Sequence, residues 1–479
     1  MKLNAPSLLV ISLSLGLPLS LAACGIGEDY SRPQTETPKV WQTETGQPTT
    51  WPSSDWWTAF GSDELNGYMQ SALTDNLDIA AAMARIREAD AQAKIAGAAL
   101  LPTLDASFAP TRSQTPVSSS GSSKSAGTSP IVANSFEAKL TTSYEIDFWG
   151  KNAAASDSAL AAAKASRFDR QTIGLTTQSS LADTYFTILS LEDRLVVAHS
   201  NLHDGEELLD AYRDRLSAGT ATALDIAQQE NEVATLAAAI PPLEQSLVQN
   251  RTALALLIGK LPEETNPKNT TLAGLKLPAV QSGLPSALLA RRPDVLNAEQ
   301  QLVGANADIT VARAALFPSI SLTGSFGYQS TALKDLFNPT SMLWSLGSSV
   351  TQSIFHGGAL EGTVEYKRAR YDELVADYRK AVLSAFIDVD NALIAVQKTD
   401  QLEAAQGRAA DTARRAYELS LDQFRGGVID ITTVLNTEKA CSPPKTPWSR
   451  PGCPTWKRWS ACTRPWAAAG TERFNSSPQ

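Results

Sequence analysis

Phe136-Glu-Ala-Lys-Leu-Thr-Thr-Ser-Tyr-Glu-Ile-Asp-Phe148, then Trp149-Gly150, then 69 residues from Lys151 to Gly219 without a proline, decide the fold. In the first part Phe136, Ala138, Leu140, Thr142, Tyr144, Ile146 and Phe148 alternate with mostly polar neighbours. That period of two belongs to a strand with one apolar face. In the second part Ala, Leu, Glu, Gln and Arg prevail, all good helix formers. Apolar residues recur there at helical spacing: Leu181, Tyr185, Ile188 and Leu189, then Leu191, Leu195 and Val196. The stripe is thin and rich in Ala, which lets long helices lie close together.

The same succession occurs twice. Ile95–Leu104 aligns with Val311–Ile320 at an offset of 216, Phe148-Trp-Gly150 with Phe355-His-Gly357 at 207, and Leu216–Thr220 with Phe424–Val428 at 208. Three segments in one order at nearly one offset mark a tandem duplication. No Pro occurs from Ile131 to Ile240 or from Thr340 to Ser442, and the second repeat has its own 70 helical residues, Gly358–Gly427. At 1.5 Å per residue each such helix approaches ~100 Å.

Alternating segments also fall at Leu104–Phe108, Ile320–Tyr328 and Trp344–Ile354. The Ser-rich stretch 113–129 joins the first pair and 331–340 the second, as exposed hairpin loops. Segments of about ten residues with one apolar and one polar side suit a membrane β-barrel. Four strands cannot close one, and an open edge is costly in lipid, so several chains must share a barrel. The chain divides into a signal peptide (1–23), an N-terminal lipid-anchored segment (24–61) and a first repeat (62–283) with strands about 102–116 and 136–149. A second repeat (284–440) has strands about 318–330 and 344–356, and an aberrant tail (441–479) ends the chain.

The 479 residues are 43% apolar and 19% charged, with a net charge of −9 and four Cys. Acidity argues against a nucleic-acid partner, and four Cys make no disulfide scaffold. Met1-Lys2 and the charge-free stretch Ser7–Leu21 form a secretory signal too short to span a bilayer. It ends in Leu21-Ala22-Ala23-Cys24, which resembles a bacterial lipobox and marks Cys24 for lipidation. Gly25 after Cys24 is compatible with sorting to the outer membrane.

The chain resembles the outer-membrane efflux family, the TolC/OprM-like channels, and specifically the lipoprotein branch of RND-type efflux systems. The resemblance covers about Cys24 to Ala440. It rests on Tyr30-Ser-Arg-Pro33, Trp56-Trp57-x-x-Phe60, Asp75-Asn76-x-Asp78, Ala84-Arg-Ile86, Leu100-Leu-Pro102 and Phe317-Pro318. Its most specific motif is Arg291-Arg-Pro-Asp294, followed by Ala298-Glu299. The resemblance implies a mainly α fold with a membrane β-barrel part. Each protomer of a homotrimer gives four strands to a twelve-stranded barrel, and the long helices form a periplasmic α-helical barrel. It implies a passive conduit in the outer membrane that receives drugs or other small molecules from an inner-membrane pump through a periplasmic adaptor protein, with no catalysis and no cofactor. A channel for type I protein secretion is the runner-up. Non-channel alternatives fit less well: a coiled-coil scaffold has no alternating segments, and a secreted sandwich lipoprotein has no 70-residue helices.

A conduit needs a shut end, expected at the tight turns Arg215-Leu-Ser-Ala-Gly219 with Asp225 and Phe424-Arg-Gly-Gly427 with Asp430. Gly at such turns permits φ > 0, and Asp225 suits the positive end of the next helix. Capping is the plain alternative to gating for both Asp residues. By resemblance, Phe424 stands where a constricting aromatic sits and Asn436 where an inward acid sits, so this sequence departs from the family there. Adaptor docking on the same tips (Arg215, Thr220, Arg425, Val428) is also implied by resemblance. The acid excess before residue 441 is expected to line the lumen and to favour cations. His199 and His203 share a helical face but lack a third ligand, so no metal site is expected. Asp147-Phe-Trp-Gly150 fits a strand end with an aromatic at the membrane rim.

Residues 441–479 hold three of the four Cys, four of the ten Trp and seven of the 26 Pro, with six Lys/Arg against one Glu. The first 440 residues carry 35 Lys/Arg against 49 Asp/Glu, a balance of −14. The resemblance expects a last helix here. Trp and Cys codons read one phase over always give xTG, hence Leu, Met or Val. Cys441, Trp448, Cys453, Trp456, Trp459, Cys462 and Trp466 thereby become seven apolar positions, and at about 100° per residue six lie within 60° of one helical face. The tail therefore reads as out of frame, and an out-of-frame copy could be non-functional.

Overall fold

The computed structural model describes residues 26–36, 38, 41, 53–115, 131–264, 267, 271–278, 289–430, 432–434 and 436–437. Cys24, the signal peptide and the tail 441–479 lie outside these residues. In chain order the elements are α1 (Asp63–Asp75), α2 (Leu77–Ala98), β1 (Thr103–Thr115), β2 (Ile131–Ile146), α3 (Lys151–Ser217), α4 (Ala223–Ala238), α5 (Ile240–Leu257), α6 (Pro293–Ala314), β3 (Ser319–Ser330), β4 (Met342–Thr351) and α7 (Ala359–Arg425). Short 3₁₀ turns punctuate them. Among the described residues no helix is long and apolar enough to cross a membrane.

Helix α3 and helix α7 each run 67 residues without a break. Polar side chains fix where the helices begin. Ser62 accepts a hydrogen bond from the Leu65 amide ahead of α1. Asn76 accepts from the amides of Asp78 and Ile79 to start α2, and its side-chain amide donates to the Leu257 carbonyl at 2.8 Å. Asp147 does the same for α3: its carboxylate accepts from the amides of Asn152 and Ala153, placing negative charge at the positive helix end.

The chain folds into two compact units that cut across the two repeats. One takes residues 87–164 and 299–377 with the N-terminal segment up to Pro33. The other takes 34–86, 165–298 and 378 onward. Helices α2, α3, α6 and α7 contribute residues to both.

The second unit holds the aromatic core. Trp56, Trp57 and Phe60 bury against Leu65, Met69, Leu181, Tyr185, Phe186, Ile188 and Leu254, with the Phe60 and Phe186 rings 4.9 Å apart. The expected α3 stripe is buried here from Leu181 to Leu191, whereas Val196 is 70% exposed. Leu195 still packs, partly buried, against this core, and at Val196 the apolar stripe has left it.

The first unit holds a four-stranded antiparallel meander in the order β1-β2-β3-β4. β2 starts at Ile131, five residues before the alternation at Phe136 announces it, and stops at Ile146, where Asp147 turns to cap α3. β4 covers Met342–Thr351 rather than 344–356. Beyond it the Gln352 side chain donates to the carbonyls of Leu316 and Ser353, so the chain has left the ladder.

Candidate functional site

The register of the sheet sorts its side chains without ambiguity, because residues paired across antiparallel strands share a face. Phe108 pairs with Ala138, Ala138 with Tyr328, and Tyr328 with Met342. Ala106, Leu140, Phe326 and Trp344 form the next such row, and Thr142, Gly324 and Leu346 another. This face is apolar and open: Leu346 is 81% and Trp344 72% exposed. The opposite face carries Ser143, Thr323 and Gly347 in one row, and Asp105, Thr141, Ser325 and Ser345 in another. Its hydroxyls bond across strands, Ser321 with Ser349 at 2.7 Å and Ser325 with Ser345 at 2.8 Å, and Lys139 pairs with Glu137 at 2.8 Å. One face suits lipid and the other water. Exposing that apolar face to water is unfavourable at about 25 cal/mol per Å². Among the described residues the outer edges of β1 and β4 have no strand partner.

Aromatic rings crowd the helix end of the sheet. The Trp149 indole donates to the Pro318 carbonyl at 2.8 Å and stacks on Phe317 at 4.6 Å, and Phe148 meets it edge-on at 4.7 Å. The aromatic–Gly turn of one repeat is thus held by the Phe-Pro turn of the other. Phe355, 88% exposed, lies at the same end of the chain's strands.

The two helix tips, both in the second unit, share one backbone solution. Gly219 and Gly427 each have φ 72°. The Thr220 amide donates to the Arg215 carbonyl at 2.9 Å, and the Val428 amide to the Gln423 carbonyl at 2.9 Å. Gly219 donates to Leu216 and Gly427 to Phe424. These are Schellman caps, which require a left-handed residue at the glycine. Downstream the repeats swap partners at the 208 offset. Thr222 and Asp225 form a reciprocal capping box that opens α4. At the equivalent positions Asp430 accepts from the Thr433 amide at 3.0 Å and from its hydroxyl at 2.9 Å. A Thr-x-x-Asp cap in one repeat is an Asp-x-x-Thr cap in the other. The offset and the capping-box spacing were both present in the sequence.

Phe424 is half-buried beside Tyr212, ring centroids 6.3 Å apart. The Arg215 guanidinium lies 4.3 Å over its ring. Arg425 reaches Asp422 at 3.6 Å across open solvent. Thr220 also donates its hydroxyl to the Arg215 carbonyl at 3.1 Å. Val428 is exposed, and so is Asn436, which stands in a helical stretch after the turn. His199 and His203 are exposed on α3, and His203 lies 3.4 Å from Glu207.

The specific motif Arg291-Arg-Pro-Asp294 serves structure. Arg292 grips Asp294 with two bonds of 2.9 and 2.6 Å and reaches Asp388 on α7 at 3.1 Å. Burial works against its charge, but the carboxylates of Asp294 and Asp388 outweigh it and raise its pKa. A second pair joins two motifs that the sequence shows far apart: Arg32 of Tyr30–Pro33 makes a bidentate pair with Glu299 at 2.6 and 2.7 Å.

A lipid-faced and water-faced sheet, carried on helices of this length, defines a conduit of the outer membrane. A model of the outer membrane efflux protein family matches residues 68–260 and 284–442, and the chain belongs to that family. It is 40% identical over 385 residues to the pyoverdine export outer membrane protein OpmQ of Pseudomonas aeruginosa, covering 80% of this chain and 81% of that one. It is 30% identical to the toluene efflux pump outer membrane protein TtgI of Pseudomonas putida, covering 89% of this chain and 92% of the other. Among solved structures, the open-state MtrE outer membrane channel of Neisseria gonorrhoeae superposes with a TM-score of 0.82 at 28% identity, covering 93% of this chain and 98% of that one. The protein is therefore an outer-membrane channel of an efflux system.

Proposed function

We propose that three copies close one barrel in the outer membrane and pass small molecules received from an inner-membrane pump through a periplasmic adaptor. The observation that carries this is the pair of unpartnered edges on a four-stranded sheet whose faces are already sorted for lipid and water. Four strands are too few to enclose a lumen, since even the smallest membrane barrels have about eight, and lipid tolerates no free edge. The role is passive, with no bond made or broken.

The shut end is assigned to the helix tips, with Gly219, Asp225, Phe424, Gly427, Asp430 and Asn436 as its residues and Arg215, Thr220, Arg425 and Val428 as the adaptor's footing. Because Asp225 and Asp430 are engaged in helix caps, the aromatic Phe424 with Arg215 and Tyr212 is the stronger element of the gate. Single-channel recordings test this. Phe424→Ala is expected to raise conductance several-fold, and an unchanged conductance would remove Phe424 from the gate. Acidic lumen residues predict a cation preference, which reversal potentials read directly.

Cys24 is assigned as the lipid attachment point. Gly27 lies against Thr310, where a Cβ would come within 2.8 Å of the hydroxyl. Glu28 bonds Arg313, and Arg32 bonds Glu299. The segment thus runs antiparallel along α6, leading back toward the start of β3, which supports delivery of Cys24 to the membrane edge. Radiolabelled palmitate should enter the wild type and not Cys24→Ala. The cargo is assigned to the siderophore class, on the strength of 40% identity to a pyoverdine exporter against 27% to the cation efflux protein CusC. Deletion should deplete the secreted siderophore while leaving tolerance to metal cations unchanged. The tail is assigned as out of frame. The family match ends at 442, beside the composition break, and sequencing the DNA around codons 438–442 decides it.

A further inference from the structure

We propose that the recess between the end of α6 and the start of α7 binds the headgroup of a zwitterionic, ethanolamine-type phospholipid. The cavity measures about 430 Å³. Its walls mix two cations, Arg313 and Arg368, with two acids, Glu361 and Glu365, beside an apolar ledge of Ile26, Leu316 and Phe317. Glu361, Glu365 and Arg368 are spaced four and three apart on α7, so they share one helical face. Arg313 stands in the last turn of α6, and only Pro318 separates Phe317 from the strand residue Ser319.

The position sets the ligand. The recess lies where strands become helices, at the foot of the lipid-facing row that begins with Ile320 and its partner Val350. A membrane headgroup at this depth brings one phosphate and, in the zwitterionic case, one ammonium. Arg suits the phosphate, since its guanidinium matches phosphate geometry. Arg313 spends one hydrogen bond on Glu28 at 2.7 Å and retains other donors. Arg368 makes no salt bridge among the described residues, although its charge is felt at Glu28. Glu361 and Glu365 supply the counter-charge for an ammonium. A purely anionic headgroup would leave both acids facing a negative ligand. The acyl chains would leave over Phe317 and the open apolar face. The protein's own lipid on Cys24 could reach the recess, because Ile26 is only two residues on. Its thioether-linked glyceride and amide carry no charge, so it would leave four ionic side chains unmatched. The proposal rests on the sheet standing in the outer membrane.

Native mass spectrometry of the full-length channel, delipidated in detergent and titrated with phosphatidylethanolamine or phosphatidylglycerol, tests it. The wild type is expected to bind phosphatidylethanolamine at least about tenfold more tightly. Arg368→Gln should weaken binding of both lipids, since both carry the phosphate, and the double variant Glu361→Gln with Glu365→Gln should turn the preference toward phosphatidylglycerol. Cys24→Ala should bind phosphatidylethanolamine as the wild type does. Equal binding of both lipids in all variants would overturn the proposal. So would ethanolamine-lipid binding that emerges only in Cys24→Ala, because the attached lipid would then own the recess. Headgroup preference is read in detergent, whereas outer-membrane fractionation of the same variants reports separately on membrane placement.

Discussion

Arg292 does three jobs with one side chain: it closes on Asp294, reaches Asp388 and touches the Ala385 carbonyl at 3.4 Å. Lys keeps the charge but not the planar fork. Arg292→Lys should cost roughly 1.5–3 kcal/mol, the worth of charged hydrogen bonds, read as a lower urea midpoint with unchanged slope. An unmoved midpoint would show that the fork is dispensable. At the helix tips, Asp430→Ala should cost about 1 kcal/mol as a lost N-cap, while Asp430→Ser should restore most of it. A gating carboxylate would behave differently, since Ser could not replace its charge and conductance would follow the charge. The motif around Arg292 was legible in the sequence. Its partner Asp388 was not, because nothing local announces a contact 96 residues away. The swapped caps were legible in principle, hidden only because Asp225 and Asp430 look like equivalents when each in fact aligns with a Thr.

At the scale of elements, alternation and proline spacing disclosed the strands and both long helices, because these patterns are local. Register was out of reach: β2 meets β3 across nearly 200 residues, and only the folded ladder shows which rows line up. Ends were missed where a side chain intervenes, as when Asp147 stops β2 to start α3. The face assignment makes a sharp prediction at two neighbouring residues. Leu346 sits on the apolar face and Ser345 on the hydroxyl face. Leu346→Arg should impair insertion, at about 2–4 kcal/mol for a basic residue near the bilayer centre. Ser345→Arg, one residue away, should assemble normally. Denaturant titration of folding into lipid vesicles would compare them, and equal tolerance of both would mean the faces are wrongly sorted.

At the scale of the molecule, the duplication was plain in the sequence while the two compact units were not. Each unit takes parts of both repeats, because each long helix contributes residues to both. The family match over residues 68–260 and 284–442 confirms the channel class. The central claim is that one chain supplies only part of the barrel wall and that its two bare edges are completed by other copies. Native mass spectrometry of the folded, detergent-extracted protein measures this most directly. Particles of three chains, with no folded single-chain species, are predicted; a stable folded monomer with its sheet intact would contradict the account.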